Sequence, residues 1–162
     1  ARDRITVSDN PGSRLRAPGY RSSEGVARRC AARATRGRPT ASAGPGPYSD
    51  LRAIYALESL HLAEYPASIR VKLQAIRIGD LGIVSSPCET FVETGLAIKR
   101  ESPLPLTFTI ELANGYNGYL PTPAQHALGG YETWRAKSSY LAMDAEPKVR
   151  SQLLKLLDEV AK

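Results

Sequence analysis

The chain has 162 residues, 42% of them hydrophobic and 23% charged, with a formal net charge of +6. That length suits one domain with a substantial core, and no apolar run approaches the length of a membrane span. The charge invites a nucleic-acid reading, but its distribution argues against one. Residues 1–48 hold ten Arg, no Lys and three acidic residues, a net of +7, whereas residues 49–162 stand at −1.

The first 48 residues are rich in Arg, Gly, Pro, Ala and Ser, and carry few large apolar side chains beyond Ile5, Val7, Leu15 and Val26. Such a segment buries too little surface to offset the entropy of ordering, so a disordered Arg-rich tail is expected. A basic arm for nucleic acid or anionic lipid is the functional alternative. The change from Arg alone to six Arg and six Lys in residues 49–162 is what a mis-started or frame-shifted N-terminus fused to a domain would give. The opening ARDRITV has no initiator Met and no apolar signal region. Cys30 and Cys88 are the two cysteines; their spacing supports no disulfide and sets no redox compartment.

The ordered part is expected over residues 49–162. Ser49 or Asp50 can cap a helix carrying Leu51, Ile54, Tyr55, Leu57, Leu60 and Leu62, which Tyr65-Pro66 ends. His61 sits on it and reads as a surface residue. SIRVKLQAIRI (Ser68–Ile78) alternates as a strand with one wet face and a phase slip near Ala75-Ile76. Gly79-Asp80 is a hairpin turn into an apolar strand, Leu81–Val84, covered on both faces.

Ser85-Ser86-Pro87-Cys88-Glu89 then forms a junction into a helix running to about Arg100, with Lys99 and Arg100 suited to its C-terminal dipole. Glu89 falls in its first turn, where the dipole favours a carboxylate by about 0.3–1 kcal/mol. Plain helix capping and a ligand role both remain open for Glu89; Glu93 reads as a solvated or salt-bridged residue. LTFTIEL (Leu106–Leu112) is a further strand. ANGYNGY follows, whose two Asn-Gly pairs demand positive φ. A loop that constrained is either a well-made turn or a rigid platform aiming side chains at a ligand. Glu132–Lys137 reads as a short helix or turn, and Pro147–Ala161 as an amphipathic helix packed on the core, with a membrane-surface role disfavoured by its mixed charges.

The run RIGDLGIVSSPCETFVETGLAIKRESP…FTIELANGYNGYLPTPAQHALGGYETW closely resembles the C-terminal half of the catalytic domain of neutral ceramidases. These are zinc-dependent amidases that split ceramide into sphingosine and a fatty acid. The likeness is strongest to ceramidase-like proteins of bacteria, and extends from about Ile54 to the C-terminus. Its motifs are a Pro-x-Glu at the strand–helix junction, an ANGYxGY-type loop, a Thr/Pro-rich step and a Gly-Gly-Tyr-Glu. The resemblance implies a partial catalytic domain of α/β class, with a mixed sheet and packed helices. It assigns zinc-ligand roles to Glu89 and Tyr119, and to Tyr131 a place beside the metal, holding the reacting carbonyl or water. It also implies a lipid amide substrate, transient contact with a membrane surface, and an exported protein, secreted or periplasmic.

Two positions depart from the family pattern: Cys88, where many members have Gly, and Leu120-Pro121-Thr122, which leaves Tyr119 in place but weakens the case for ceramide itself. The family's metal-binding histidines lie in the earlier half of its catalytic domain. His61 and His126 occupy neither of those motifs. Two oxygen ligands do not make a tight zinc site, so the chain reads as a fragment needing the missing N-terminal half as a partner. Two rivals stand beside this reading. One is a hydrolase with Cys88 as nucleophile and His126 as base. The other is a non-catalytic α/β module whose basic arm binds acidic partners or nucleic acid.

Overall fold

A computed structural model describes the backbone of residues 5–16 together with residues 51–162, the Arg52 side chain excepted. The order is β1 (Ile5–Arg16), α1 (Leu51–Leu62), β2 (Ser68–Ile78), β3 (Leu81–Ser85), β4 (Glu89–Thr90), α2 (Val92–Glu101), β5 (Leu106–Ile110), β6 (Tyr119–Leu120), α3 (Pro123–Leu128), a 3-10 turn (Tyr131–Thr133) and α4 (Ala145–Ala161). A four-stranded sheet runs β1-β2-β3-β5, and β4 and β6 make a separate two-stranded one. The fold is α/β with a mixed sheet, as the sequence implies.

β2 and β3 are joined at Gly79-Asp80 and pair antiparallel, Gln74 opposite Ser85 through Ile78 opposite Leu81. β3 and β5 pair parallel, which requires a crossover, and β4 with α2 supplies it. Alternation sorts the side chains of β2. Val71, Leu73 and Ala75 are buried with Val84 of β3 beneath the apolar stripe of α4: Val149, Leu153, Leu156, Leu157 and Val160. α4 comes so near the sheet that a Cβ on Gly82 would meet the methyl tips of Leu104 and Leu157 at 2.9 and 3.0 Å. At its far end Arg77 donates to the Ala161 carbonyl at 2.8 Å and to Val160 at 3.4 Å, placing a cation on the C-terminal carbonyls. α4 starts at Ala145, two residues before the expected Pro147, because proline is tolerated in a first helical turn.

Between α2 and α4 the buried Glu146 carboxylate accepts from Thr94 Oγ1 at 2.9 Å and Arg150 Nε at 3.1 Å. Its partners are what make its burial tolerable. The opposite sheet face is built differently. Ile78, Leu81 and Leu106 stand in one row across the register, and Ile76, Ile83 and Phe108 in the next. Ile78, Leu106 and Phe108 are exposed and the other three half-buried. β3 therefore has one face sealed by α4 and one only partly covered, not the two covered faces expected for it.

Two further expectations are corrected. Ile5–Arg16, placed in a disordered tail by composition, form a strand along β2 from Ile5 opposite Ile78 to Arg16 opposite Ser68. The apolar residues Ile5, Val7 and Leu15 fall within it, and β2 offers a whole unpaired edge. The remainder of the tail, with Cys30, Ser49 and Asp50, lies outside the described residues. The irregularity expected at Ala75-Ile76 is absent from β2. It falls instead on β1 between Asn10 and Ser13, where Pro11 cannot donate to a ladder.

Leu153 is fully buried at the centre of the α4 seam. Leu153→Ala is expected to cost about 2–5 kcal/mol, read as a lower urea midpoint with an unchanged m-value.

Candidate functional site

The junction after β3 is shaped by backbone bonds. Ser86 N–H donates to Ile110 O at 3.0 Å, Ala113 N–H to Ser86 O at 3.0 Å, and Asn117 N–H to Pro87 O at 2.8 Å. These lash the Ser85–Glu89 segment to the loop after β5. Glu89 N–H then donates to Gly118 O at 2.9 Å, and β4 pairs parallel with β6, Glu89 opposite Tyr119 and Thr90 opposite Leu120. The loop turns with positive φ at Asn114 (65°), Gly115 (151°) and Gly118 (71°). At Gly118 a side chain is doubly barred, because its Cβ would fall inside the Ser138 carbonyl.

This pairing changes the account of Glu89. α2 begins at Val92 with Phe91 as its cap, and the acid in its first turn is Glu93. Residues 89 and 90 are drawn into a ladder with 119 and 120, which leaves Glu89 three positions ahead of the helix rather than within its first turn. Two phenols lie within reach of its charge, Tyr116 and Tyr119, and Tyr119 also interacts with Tyr131. The Tyr119 and Tyr131 rings meet edge-to-face with centroids 5.6 Å apart. The Tyr131 hydrogen bond, partial burial and the Glu89 charge hold the Tyr119 phenol well above its usual range; burial and Glu89 push Tyr116 upward too.

The fold therefore brings Glu89, Tyr119 and Tyr131 together and adds Tyr116. The sequence leaves the loop holding Tyr116 open between a turn and a ligand platform and gives Tyr116 no role of its own, although it stands three residues before Tyr119 in a glycine-punctuated loop. Tyr140 braces the loop from below, its hydroxyl donating to Asn117 Oδ1 at 2.9 Å. Both Tyr116 and Tyr131 are more than half exposed, so the cluster opens to solvent.

Neither histidine is among the groups that perturb Tyr116 or Tyr119. His61 lies in the last turn of α1. His126 is on α3, its Nε2 buried without a hydrogen-bond partner, and burial with the nearby Arg135 charge lowers its pKa. Among the described residues no three His, Cys, Asp or Glu side chains gather as a metal-binding group. One carboxylate and neighbouring phenols fit one side of a cation site but not a closed zinc centre, which takes four ligands or three and a water. The Cys88–His126 reading fares worse. Cys88 is fully buried, and burial pushes its thiol up to about 11, only partly offset by the nearby Ser86 hydroxyl. Such a thiol is essentially never a thiolate at neutral pH.

No family model matches the sequence, and no curated protein matches it. Among solved structures, the chain is similar to a ceramidase complexed with C2, at 19% identity and a TM-score of 0.50, over 59% of this chain and 15% of that one. It also aligns with the neutral ceramidase from Pseudomonas aeruginosa, at 20% identity and a TM-score of 0.49 over the same shares. The likeness is one of fold, and the matched part spans about a seventh of the ceramidase chain. No described helix is long and apolar enough to cross a membrane.

The Gly118 geometry predicts that Gly118→Ala costs about 3 kcal/mol or more, seen as a lower melting temperature with loss of the near-ultraviolet tyrosine signal. A pH effect follows from Tyr140, which burial pushes up to about 12, and Cys88 at about 11. The unfolded chain releases these protons first, so their contribution is complete at neutral pH and declines as pH rises from about 9 through the folded values. Urea midpoints measured across that window are expected to fall, less steeply in Tyr140→Phe.

Proposed function

We propose that this chain carries one wall of a metal-dependent hydrolytic site for a lipid amide of the ceramide class. The observation that carries the reading is the β4–β6 pairing, which sets Glu89 beside Tyr119 while the Tyr119 ring meets that of Tyr131. An acceptor-rich cluster with a carboxylate at its centre suits a cation. Glu89 and Tyr119 would hold zinc, which when bound supplies Lewis acidity toward an amide carbonyl. Tyr131, more than half exposed and in ring contact with Tyr119, would donate to the oxyanion that develops on the amide oxygen. Tyr116, which also feels the Glu89 charge, would steady that carboxylate.

The remaining nitrogen ligands are proposed to come from polypeptide beyond this chain. Support comes from the donor count and from the half-bare sheet face, whose two apolar rows are prepared for another layer. An exported location goes with this reading.

The electrostatics provide the test. Glu89 contributes to the high pKa of Tyr119, and a cation bound at Glu89 offsets that charge. Zinc titrated into the full chain near neutral pH, where it stays in solution, is therefore expected to change the tyrosine difference absorbance, and Glu89→Gln to abolish the response. A wild-type titration indifferent to zinc would overturn the metal reading. The chain alone is expected to show no turnover of a short fluorescent ceramide. Stoichiometric zinc with turnover would instead place the whole site within these 162 residues.

A further inference from the structure

The outer edge of β5 offers a second feature, remote in chemistry from the tyrosine cluster. β5 is the last strand of the described sheet. Leu106 N–H donates to Asp80 O, and Ile110 O accepts from Ser86 N–H. In a parallel ladder this alternation turns the N–H and C=O groups of Thr107 and Thr109 to the opposite side. Among the described residues no strand pairs there. Along this edge runs a groove of about 260 Å³ between β5 and α2, walled by Val92, Leu96, Phe108 and Thr109, with Lys99 and Glu111 also lining it. Val92 and Leu96 are 69% and 55% exposed, and Thr109 Oγ1 is buried in the wall without a partner.

The groove has a direction. α2 returns from the C-terminal end of β3 to the N-terminal end of β5, where Ser102 Oγ and Thr107 Oγ1 lie 2.6 Å apart. Lys99 accordingly stands toward the N-terminal end of β5, and Glu111 lies just past its C-terminal end. We propose that the groove takes β5 of a second copy of this chain, antiparallel across a two-fold axis at Phe108, joining two sheets into one of eight strands.

Several features meet in this arrangement. Thr107 of each copy faces Thr109 of the other, and each pair exchanges two backbone bonds. Reversal of the second copy brings Lys99 of one chain to Glu111 of the other, twice. The two α2 helices fall on the same side of the joined sheet and run antiparallel, so Leu96 meets its symmetry mate, and Val92 the Lys99 end of the other helix, instead of water. The strand LTFTI is its own complement, with Leu106, Phe108 and Ile110 continuing one face. An exposed apolar edge without proline or a strand-interior charge has nothing to prevent such pairing.

The test is sedimentation of the full chain over a range of concentrations, with hydrogen exchange on the same samples. A reversible dimer is expected, in which the Thr107 and Thr109 amides gain protection as concentration rises. Leu96→Glu, at an exposed position that keeps the fold, is expected to weaken association about tenfold or more by setting a carboxylate near Glu111 of the other copy. Glu111 Oε2 also accepts from Thr90 N–H at 2.8 Å. Lys99→Glu is expected to weaken association about fivefold, and Lys99→Glu with Glu111→Lys to restore it, melting curves confirming that the Thr90 bond is not needed for folding. A monomer at every concentration overturns the proposal. So does a dimer indifferent to Leu96→Glu whose Thr107 and Thr109 amides still exchange freely. Neither result depends on zinc or hydrolysis, so the outcome is separate from that of the tyrosine site.

Discussion

The packing of α4 across β2 and β3 is the constraint from which the rest of this domain follows. Val149, Leu153, Leu156, Leu157 and Val160 reach the sheet closely because Gly82 offers no side chain beneath Leu157. Apolar burial is worth roughly 25 cal/mol per Å², and the fully buried residues concentrate on this one seam. The polar bonds at its edges give direction to it. Arg77 fixes the C-terminal end of α4 and Glu146 ties its first turn to Thr94 of α2. A helix held at both ends and along one stripe leaves the strands little freedom in register. It also commits the sheet to one covered face, so the opposite rows and the β5 edge stay open to other surfaces.

The site depends on this seam at one remove. With β3 and β5 held parallel, the Ser85–Glu89 segment and the loop after β5 emerge side by side at the same end of the sheet, where polar residues of α/β folds commonly meet ligands. Backbone bonds then join them, ending in the Glu89–Gly118 bond. Glu89 is thus placed by main-chain geometry rather than by a helix dipole. That distinction matters for the chemistry. A dipole would bias the charge state of the carboxylate, whereas a ladder fixes where it stands relative to Tyr119.

The sequence discloses the elements whose burial is periodic. β2 alternates and α4 repeats with a helical stripe, so both can be located from residue type alone. β4 and β6 have two residues each, too few for any period to register, and they are what correct the placement of Glu89. β1 is hidden for another reason. Composition averaged over 48 residues outweighs Ile5, Val7 and Leu15, which acquire meaning only when β2 presents an edge to pair with. Tyr116 belongs to the same class, since its proximity to Glu89 is created by the positive φ turns at Asn114, Gly115 and Gly118. Resemblance to a family supplied Glu89, Tyr119 and Tyr131 as a set; local pattern alone left Glu89 divided between cap and ligand.

The electrostatics of the tyrosine cluster bear on the metal role proposed for it. Glu89 sits among phenols whose pKa values it raises, and no Lys, Arg or His enters as a cause of either shift. The Glu89 charge therefore favours the protonated form of Tyr116 and Tyr119. A cation reverses that bias, since it stabilises both the carboxylate and any phenolate beside it. Solvent could serve an exposed carboxylate equally well if stability were the only demand. The glycine-restricted loop, lashed to the junction by main-chain bonds at Ser86, Pro87 and Glu89, holds these oxygens in a fixed arrangement. Preorganised oxygen donors of this kind suit the metal-assisted reaction proposed for the site.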